Sequence, residues 1–293
     1  MSPRQKGMLL VSFGALLWGG SGVAAQFVLQ NKGFSAEWLV IVRMLLSGLV
    51  LLSLDGMTHY GDIFSIWKSR HDTLQLLAFA LIGMLGVQYT YFAAIKAGNA
   101  ATATILQYLM PIVIVGWTAL RTRRCPQTRE LLCVALAILG TFLLVTHGSL
   151  SSLSISSSAL FWGLLSAFAA AFYTMQPKYL LSHWRSPLVI GWGMLLGGLA
   201  LMPVCPPWEF TGIWDRAACL TFIYIILFGT IIAFWAYLES IKYIPPTETS
   251  TLASLEPLSA IVLSSVLLAV PFGPVEILGT ILIMSTVFIL TRK

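Results

Sequence analysis

Charge is what this chain lacks. Asp, Glu, Lys and Arg together make up 10% of its 293 residues, against about 25% in a soluble domain. There is too little polar surface to cover a water-facing globule, and with 58% hydrophobic residues and a mean hydropathy of +0.87 the chain reads as an integral membrane protein. No hydrophilic stretch approaches the roughly 50 residues that a separate soluble domain needs. That argues against an attached ATPase or an extramembrane catalytic domain, so a gradient or a partner must supply any energy. Cysteine is also sparse. Cys125, Cys133, Cys205 and Cys219 show no CxxC spacing and no metal-ligand cluster. Single buried thiols are expected, although Cys205 and Cys219 flank one loop and could pair. His59, His71, His147 and His183 fall in loops or near the ends of apolar runs, none grouped with carboxylates. No metal, no cofactor and no enzymatic acid–base pair is expected.

What the chain has instead is a repeat. At an offset of 146 residues, Ile95-Lys96 falls on Ile241-Lys242, Tyr91 on Tyr237, Leu106 on Leu252, Met110-Pro111 on Glu256-Pro257, Glu130 on Glu276 and Leu144 on Leu290. Apolar runs of about 20 residues occur at Gly7 to Leu29, Ala36 to Leu54, Leu74 to Ile95, Ala97 to Leu120, Leu131 to Thr146, Ala159 to Leu181, Pro187 to Val204, Ala217 to Ile241, Thr247 to Val270 and Val275 to Thr291. They are continuously apolar rather than alternating with period two, which favours helices over barrel strands. The first is long for a signal-peptide core and lacks a cleavage site, so it reads as a retained span. The expected fold is an all-α integral membrane protein of ten transmembrane helices. Five spans per copy is an odd number, so the two copies face opposite ways: a five-helix repeat over 1–147, an external linker over 148–158 and an inverted five-helix repeat over 159–293. Inverted halves around a midplane site mark a secondary transporter.

Lysine and arginine set the orientation. With both termini cytoplasmic, the inner side receives Arg4, Lys6, Lys68, Arg70, Arg121, Arg123, Arg124, Arg129, Lys178, Arg185, Lys242, Arg292 and Lys293, and the outer side only Lys32, Lys96 and Arg216. The net charge of +6 is thereby a topology signal and needs no nucleic-acid partner. The Arg121 to Arg129 cluster reads as a membrane anchor that attracts anionic lipid. In the loop Asp55 to Thr73, Ile63, Phe64, Ile66 and Trp67 are candidates for a short amphipathic turn on the bilayer surface. The serine-rich stretch Gly148 to Ser158 has the composition of a flexible linker.

The run SIKYIPPTETSTLASLEPLSAIVLSSVLL with VEILGTILI, its first-half counterpart AAIKAGNAATATILQYLMPIVIV, ALLWGGSG in the first span and IVRMLLSG in the second together resemble the EamA-type transporters of the drug/metabolite transporter superfamily. The resemblance covers essentially the whole chain. It implies a ten-helix carrier of the bacterial inner membrane, and export of amino acids and other small metabolites. The turn after the ninth run departs from the family, which commonly has a Gly-Glu turn there. Here it reads AVPFGPVE, with Glu276 displaced to the start of the tenth span, so no function is carried onto it.

A charge near the bilayer centre costs at least about 2.5–3.5 kcal/mol, so it persists only when paired, hydrated or used. Arg43 in the second span and Glu256 in the ninth qualify. Glu256 is a candidate for a substrate ammonium or a proton, and two structural roles stay open for it: pairing with Arg43, or bonding to backbone loosened by a proline. Arg43 cannot carry a proton and is expected to form a structural or gating ion pair. Pro257 follows Glu256, and Pro111 holds the matching place in the fourth span. Each removes a backbone donor, so both spans are expected to kink. Trp18, Gln88, Tyr91, Gln107, Tyr108, Trp235 and Tyr237 are candidate walls and hydrogen-bonding groups of the cavity. Gly14, Gly19, Gly20 and Gly22 are expected to permit close packing of the first span. The expected function is alternating-access export of small organic metabolites such as amino acids, in the lipid bilayer, with protons as a possible coupling ion. A proton-independent uniporter or exchanger and a non-transporting scaffold or receptor subunit are the alternatives.

Overall fold

A computed structural model of the chain describes residues 2–58, 62–123, 127–146, 155–240, 243–244 and 252–291. The first part of the expected linker, the start of the ninth apolar run and the last residue of the eighth, together with Arg124, Cys125, His59, His147, Lys242, Arg292 and Lys293, lie outside them. Among the described residues the secondary structure is all helical. The long runs are α1 (Pro3–Asn31), α2 (Ala36–Thr58), α3 (Arg70–Ala97), α4 (Ala100–Thr122), α5 (Thr128–Thr146), α6 (Ser157–His183), α7 (Ser186–Leu201), α8 (Arg216–Tyr237), α9 (Leu255–Leu268) and α10 (Pro274–Thr291). Six of them, α1 to α4, α6 and α8, are long and apolar enough to cross a membrane, and α7, α9 and most of α10 form shorter apolar helices. Leu49, Leu120, Ile138, Phe168, Val266 and Ile281 stand on the outside of the bundle, an apolar exterior suited to lipid rather than water.

Local sequence sets the helix ends. Ser2 and Gln5 form a reciprocal capping box at α1. Asn99, Ser156 and Asp215 cap α4, α6 and α8 through side-chain oxygens, satisfying backbone donors that a helix start leaves free. Pro187 stands in the first turn of α7, where its missing N–H costs nothing.

Packing relates the two halves. α2 lies along α7 and α5 along α10. α3 packs on α6 as α8 packs on α1, α4 on α6 as α9 on α1, and α7 on α3 as α2 on α8. Each of these contacts therefore has a mate when the first five helices are exchanged with the last five. Small residues make the closest approaches. A Cβ at Gly140 would lie 2.7 Å from the Gly279 carbonyl oxygen, and one at Gly279 the same distance from that of Gly140.

Backbone irregularities recur at the same offset as the sequence. α3 carries a π-helical stretch at Phe79–Met84 and α8 one at Tyr224–Ile232, and adding 146 to Phe79 gives Ile225. α4 breaks at Tyr108–Leu109 and resumes at Met110 with Pro111 in its first turn. Likewise α9 begins at Leu255 after a turn at Ser254, with Glu256 and Pro257 in its first turn.

One end of the bundle is tied by polar contacts. Gln30 Nε2 donates to the carbonyls of Ile95 (2.9 Å) and Gly98 (2.6 Å), and Gln26 Oε1 accepts from Ala100 N at 2.8 Å. Lys32 pairs with Asp215 at 2.5 Å, and Trp38 Nε1 donates to Pro207 O at 2.7 Å. The Lys32 ammonium, helped by the Ala218 N–H, holds the Asp215 carboxyl below its ordinary range. Phe34, Trp38, Trp214 and Phe222 stack edge to face beneath.

Two sequence expectations need correction here. The segment Ile63 to Trp67 does not lie as an amphipathic surface turn. Ile66 is fully buried, Trp67 packs on Trp192 of α7 at 5.1 Å, and Trp192 Nε1 donates to Ile63 O at 2.8 Å, so only Phe64, 62% exposed, fits that description. Burying Ile66 in the core and packing Trp67 on α7 outweighs resting them at an interface. Cys133, Cys205 and Cys219 are single thiols, as expected, but only Cys133 is buried, Cys205 being half-buried and Cys219 exposed.

Candidate functional site

A cavity of about 390 Å³ opens where both halves meet, lined from α1, α2, α3, α4, α6, α7, α8, α9 and α10. Of the residues singled out in the sequence, Trp18, Arg43, Gln88, Tyr91, Gln107, Tyr108, Pro111, Tyr237 and Glu256 face it. Pro257 is buried behind Glu256. Trp235 does not belong. It is 57% exposed on the outside of α8, because Phe234 and Tyr237, three residues apart, share the cavity face and a residue next to Phe234 is turned about 100° away.

The two helix breaks meet across this cavity. Proline at position i leaves the carbonyl of i−4 without its helical donor, so Pro257 frees the carbonyl of Ala253. The Tyr108 hydroxyl, standing at the break of α4, reaches that oxygen at 2.9 Å and Glu256 Oε2 at 3.1 Å. One hydroxyl proton thus serves two acceptors, and it joins the first half to the second beside the carboxylate. By the same rule Pro111 deprives the Gln107 carbonyl of its donor, and Gln107 also lines the cavity. Aromatic faces surround the carboxylate. Trp18 contacts Phe234 and Tyr237 at 5.1 Å each, while Tyr173 supplies another wall.

Arg43 has different partners from those its sequence position suggests. Among the described residues no ion pair joins it to Glu256 within 4.0 Å. Its Nε donates to Thr230 Oγ1 at 2.7 Å, Nη2 to Gly229 O at 3.3 Å and Nη1 to Gln88 Oε1 at 3.1 Å, and the guanidinium lies 4.9 Å from the Phe92 ring centre. The π-helical stretch of α8 explains the difference. Its widened turn offers the Gly229 carbonyl and the Thr230 hydroxyl, which itself donates to Ile225 O at 2.9 Å, and these hold a buried guanidinium without a carboxylate.

Several lining residues were not picked out from the sequence, Ser21, Tyr173, Thr174, Phe234 and Val287, and Gly22, expected only to permit close packing, lines the cavity as well. Helical spacing gives Ser21 and Gly22 from Trp18, and Phe234 from Tyr237. Tyr173, Thr174 and Val287 carry no comparable signal. Among the described residues no cluster of His, Cys, Asp and Glu could hold a metal ion.

An apolar helical bundle around one mixed polar and aromatic cavity is the build of a membrane transporter. The chain belongs to the EamA-like transporter family, in the drug/metabolite transporter superfamily, whose family model matches twice, at residues 5–146 and 157–292. It is 43% identical to YicL, an uncharacterised inner membrane transporter of Salmonella typhimurium, over 99% of this chain and 97% of that one. It is 22% identical to the uncharacterised transporter YwfM of Bacillus subtilis, over 94% and 90%. A crystal structure 15% identical in sequence has the same fold, with a TM-score of 0.65 over 98% of this chain and 96% of that one.

Proposed function

We propose that this protein is a secondary carrier that exports small organic metabolites, amino acids among them, across the bacterial inner membrane by alternating access. Its build is then ten spans in two inverted five-helix halves, 1–147 and 159–293, joined by an external linker over 148–158, with both termini cytoplasmic. The carrying observation is the Tyr108 bond to Ala253 and Glu256. It places a polar bridge between corresponding breaks of the two halves, in the wall of the cavity they share. Support for the inverted build comes from the doubled family match, the mated helix contacts and the π-helical stretches one repeat apart. The Salmonella relative is an inner membrane transporter by name, and the positive charges favour cytoplasmic termini in that membrane.

Glu256 is the group we assign to ammonium or proton binding. A carboxyl facing a cavity that takes up either occupant couples the two, because each favours a different state of the same carrier. Glu256→Gln keeps the shape and abolishes titration. In proteoliposomes the wild type is expected to accumulate substrate under a pH gradient, and the variant to insert and fold but lose that accumulation. Its substrate binding should also lose most of its dependence on pH between about 5 and 8. A variant that accumulates normally would make Glu256 a structural acid. A wild type that equilibrates substrate without responding to the gradient would make the protein a uniporter or exchanger.

A further inference from the structure

The contacts of Arg43 fix more than Arg43. An arginine has donors only, so the amide atom that Gln88 turns toward Nη1 must be its oxygen, as the 3.1 Å contact has it. The amide nitrogen of a planar carboxamide diverges from that oxygen at the trigonal carbon, so it cannot face Nη1 as well. Among the described residues Gln88 Nε2 has no hydrogen-bond partner, nor is it one of the buried atoms shut off from open space, although Gln88 as a whole is only 8% exposed and lines the cavity. Gln88 therefore offers the cavity a donor whose direction is set from behind. Arg43 donates three of its five N–H groups, one from each nitrogen, to Thr230, Gly229 and Gln88.

We propose that Gln88 is a specificity-determining residue that binds the acceptor end of the substrate, a carboxylate or carbonyl, and that Arg43 is a positioning residue that acts through Gln88. This rests on the carrier reading above and extends it to a substrate class. Glu256, an acceptor, takes an ammonium, while Gln88, a donor, takes the oxygen at the other end. The cavity selects amines that carry a carbonyl or carboxylate over the corresponding plain amines.

The test uses matched pairs of probes, L-phenylalanine with phenethylamine and L-leucine with isoamylamine, titrated calorimetrically into the purified full-length protein. Wild type is expected to bind at least one acid roughly tenfold or more tightly than its amine, the discrimination available to one hydrogen bond in a desolvated site. Gln88→Leu should bring that ratio close to one. Gln88→Glu keeps an acceptor for Arg43 but removes the donor, so it secures the fold and should lower the ratio at least as far. Arg43→Met, or Arg43→Lys where the first fails to fold, should reduce the ratio in the wild-type background and have no further effect on it in the Gln88→Leu background. An unchanged ratio in both Gln88 variants overturns the proposal. So does a further drop on adding the Arg43 substitution, since Arg43 would then contact the ligand itself. Wild type that binds neither member of either pair, or binds amines as well as acids, overturns the substrate class. The carrier reading is judged separately, by pH-gradient-driven uptake in Glu256→Gln.

Discussion

Tyr108 ties the two halves together at the site, because its hydroxyl meets both the backbone oxygen that Pro257 frees and the carboxylate beside it. Tyr108→Phe keeps the ring but strands the Ala253 carbonyl. Loss of the bond should cost about 1 kcal/mol, or up to about 3 if the carbonyl is left dry, read as a lower melting temperature in detergent. Transport should fall with it, since the variant also removes the donor that orients Glu256. Part of this was legible beforehand. Glu256 and Arg43 stand out as charges in apolar spans, and Pro257 announces a freed carbonyl four residues back. The partner of that carbonyl lies in the other half of the chain, and no local pattern names it. Arg43 was misassigned for a related reason. A lone buried cation suggests a buried carboxylate, whereas Arg43 donates to a carbonyl and a hydroxyl made available by backbone geometry and to the Gln88 amide oxygen.

Elements were read well where hydrophobic length carries the signal and poorly where hydrogen-bond pattern does. Each apolar run coincides with a helix within the described residues, because twenty apolar residues with few charges leave the backbone no other way to satisfy its polar groups in lipid. The π-helical stretches Phe79–Met84 and Tyr224–Ile232 have no such signature. Their composition is that of any apolar helix, and only their recurrence one repeat apart relates them to the sequence. Such bulges concentrate at functional sites, and here the one in α8 cradles Arg43. Thr230→Val retains the shape and removes the acceptor of Arg43 Nε, so it should destabilise the protein by about 1–3 kcal/mol. Thr230→Ser should recover most of that stability. Equal melting temperatures for Val and Ser would mean that the bond to Arg43 contributes nothing.

For the whole molecule, the charge distribution and the mated packing make one account with two consequences. The first is orientation. In a background without native cysteines, a single cysteine at Ser152 should react with an impermeant maleimide in intact cells, and one at Thr122 only after the membrane is opened. The reverse pattern would turn the proposed carrier around and overturn the proposed direction of export. The second consequence of the proposed build is that one cavity would serve both sides of the membrane, as two inverted halves rock past each other. Thr174 lines that cavity on α6, and its replacement by cysteine keeps nearly the same size. Reconstituted in oriented proteoliposomes, Thr174→Cys should be labelled by impermeant maleimide applied to either face, at rates that shift in opposite directions when a pH gradient is imposed, and bound substrate should protect it from both. Labelling from one face only under every gradient, or from both faces at rates that rise and fall together, would contradict alternating access and with it the central claim.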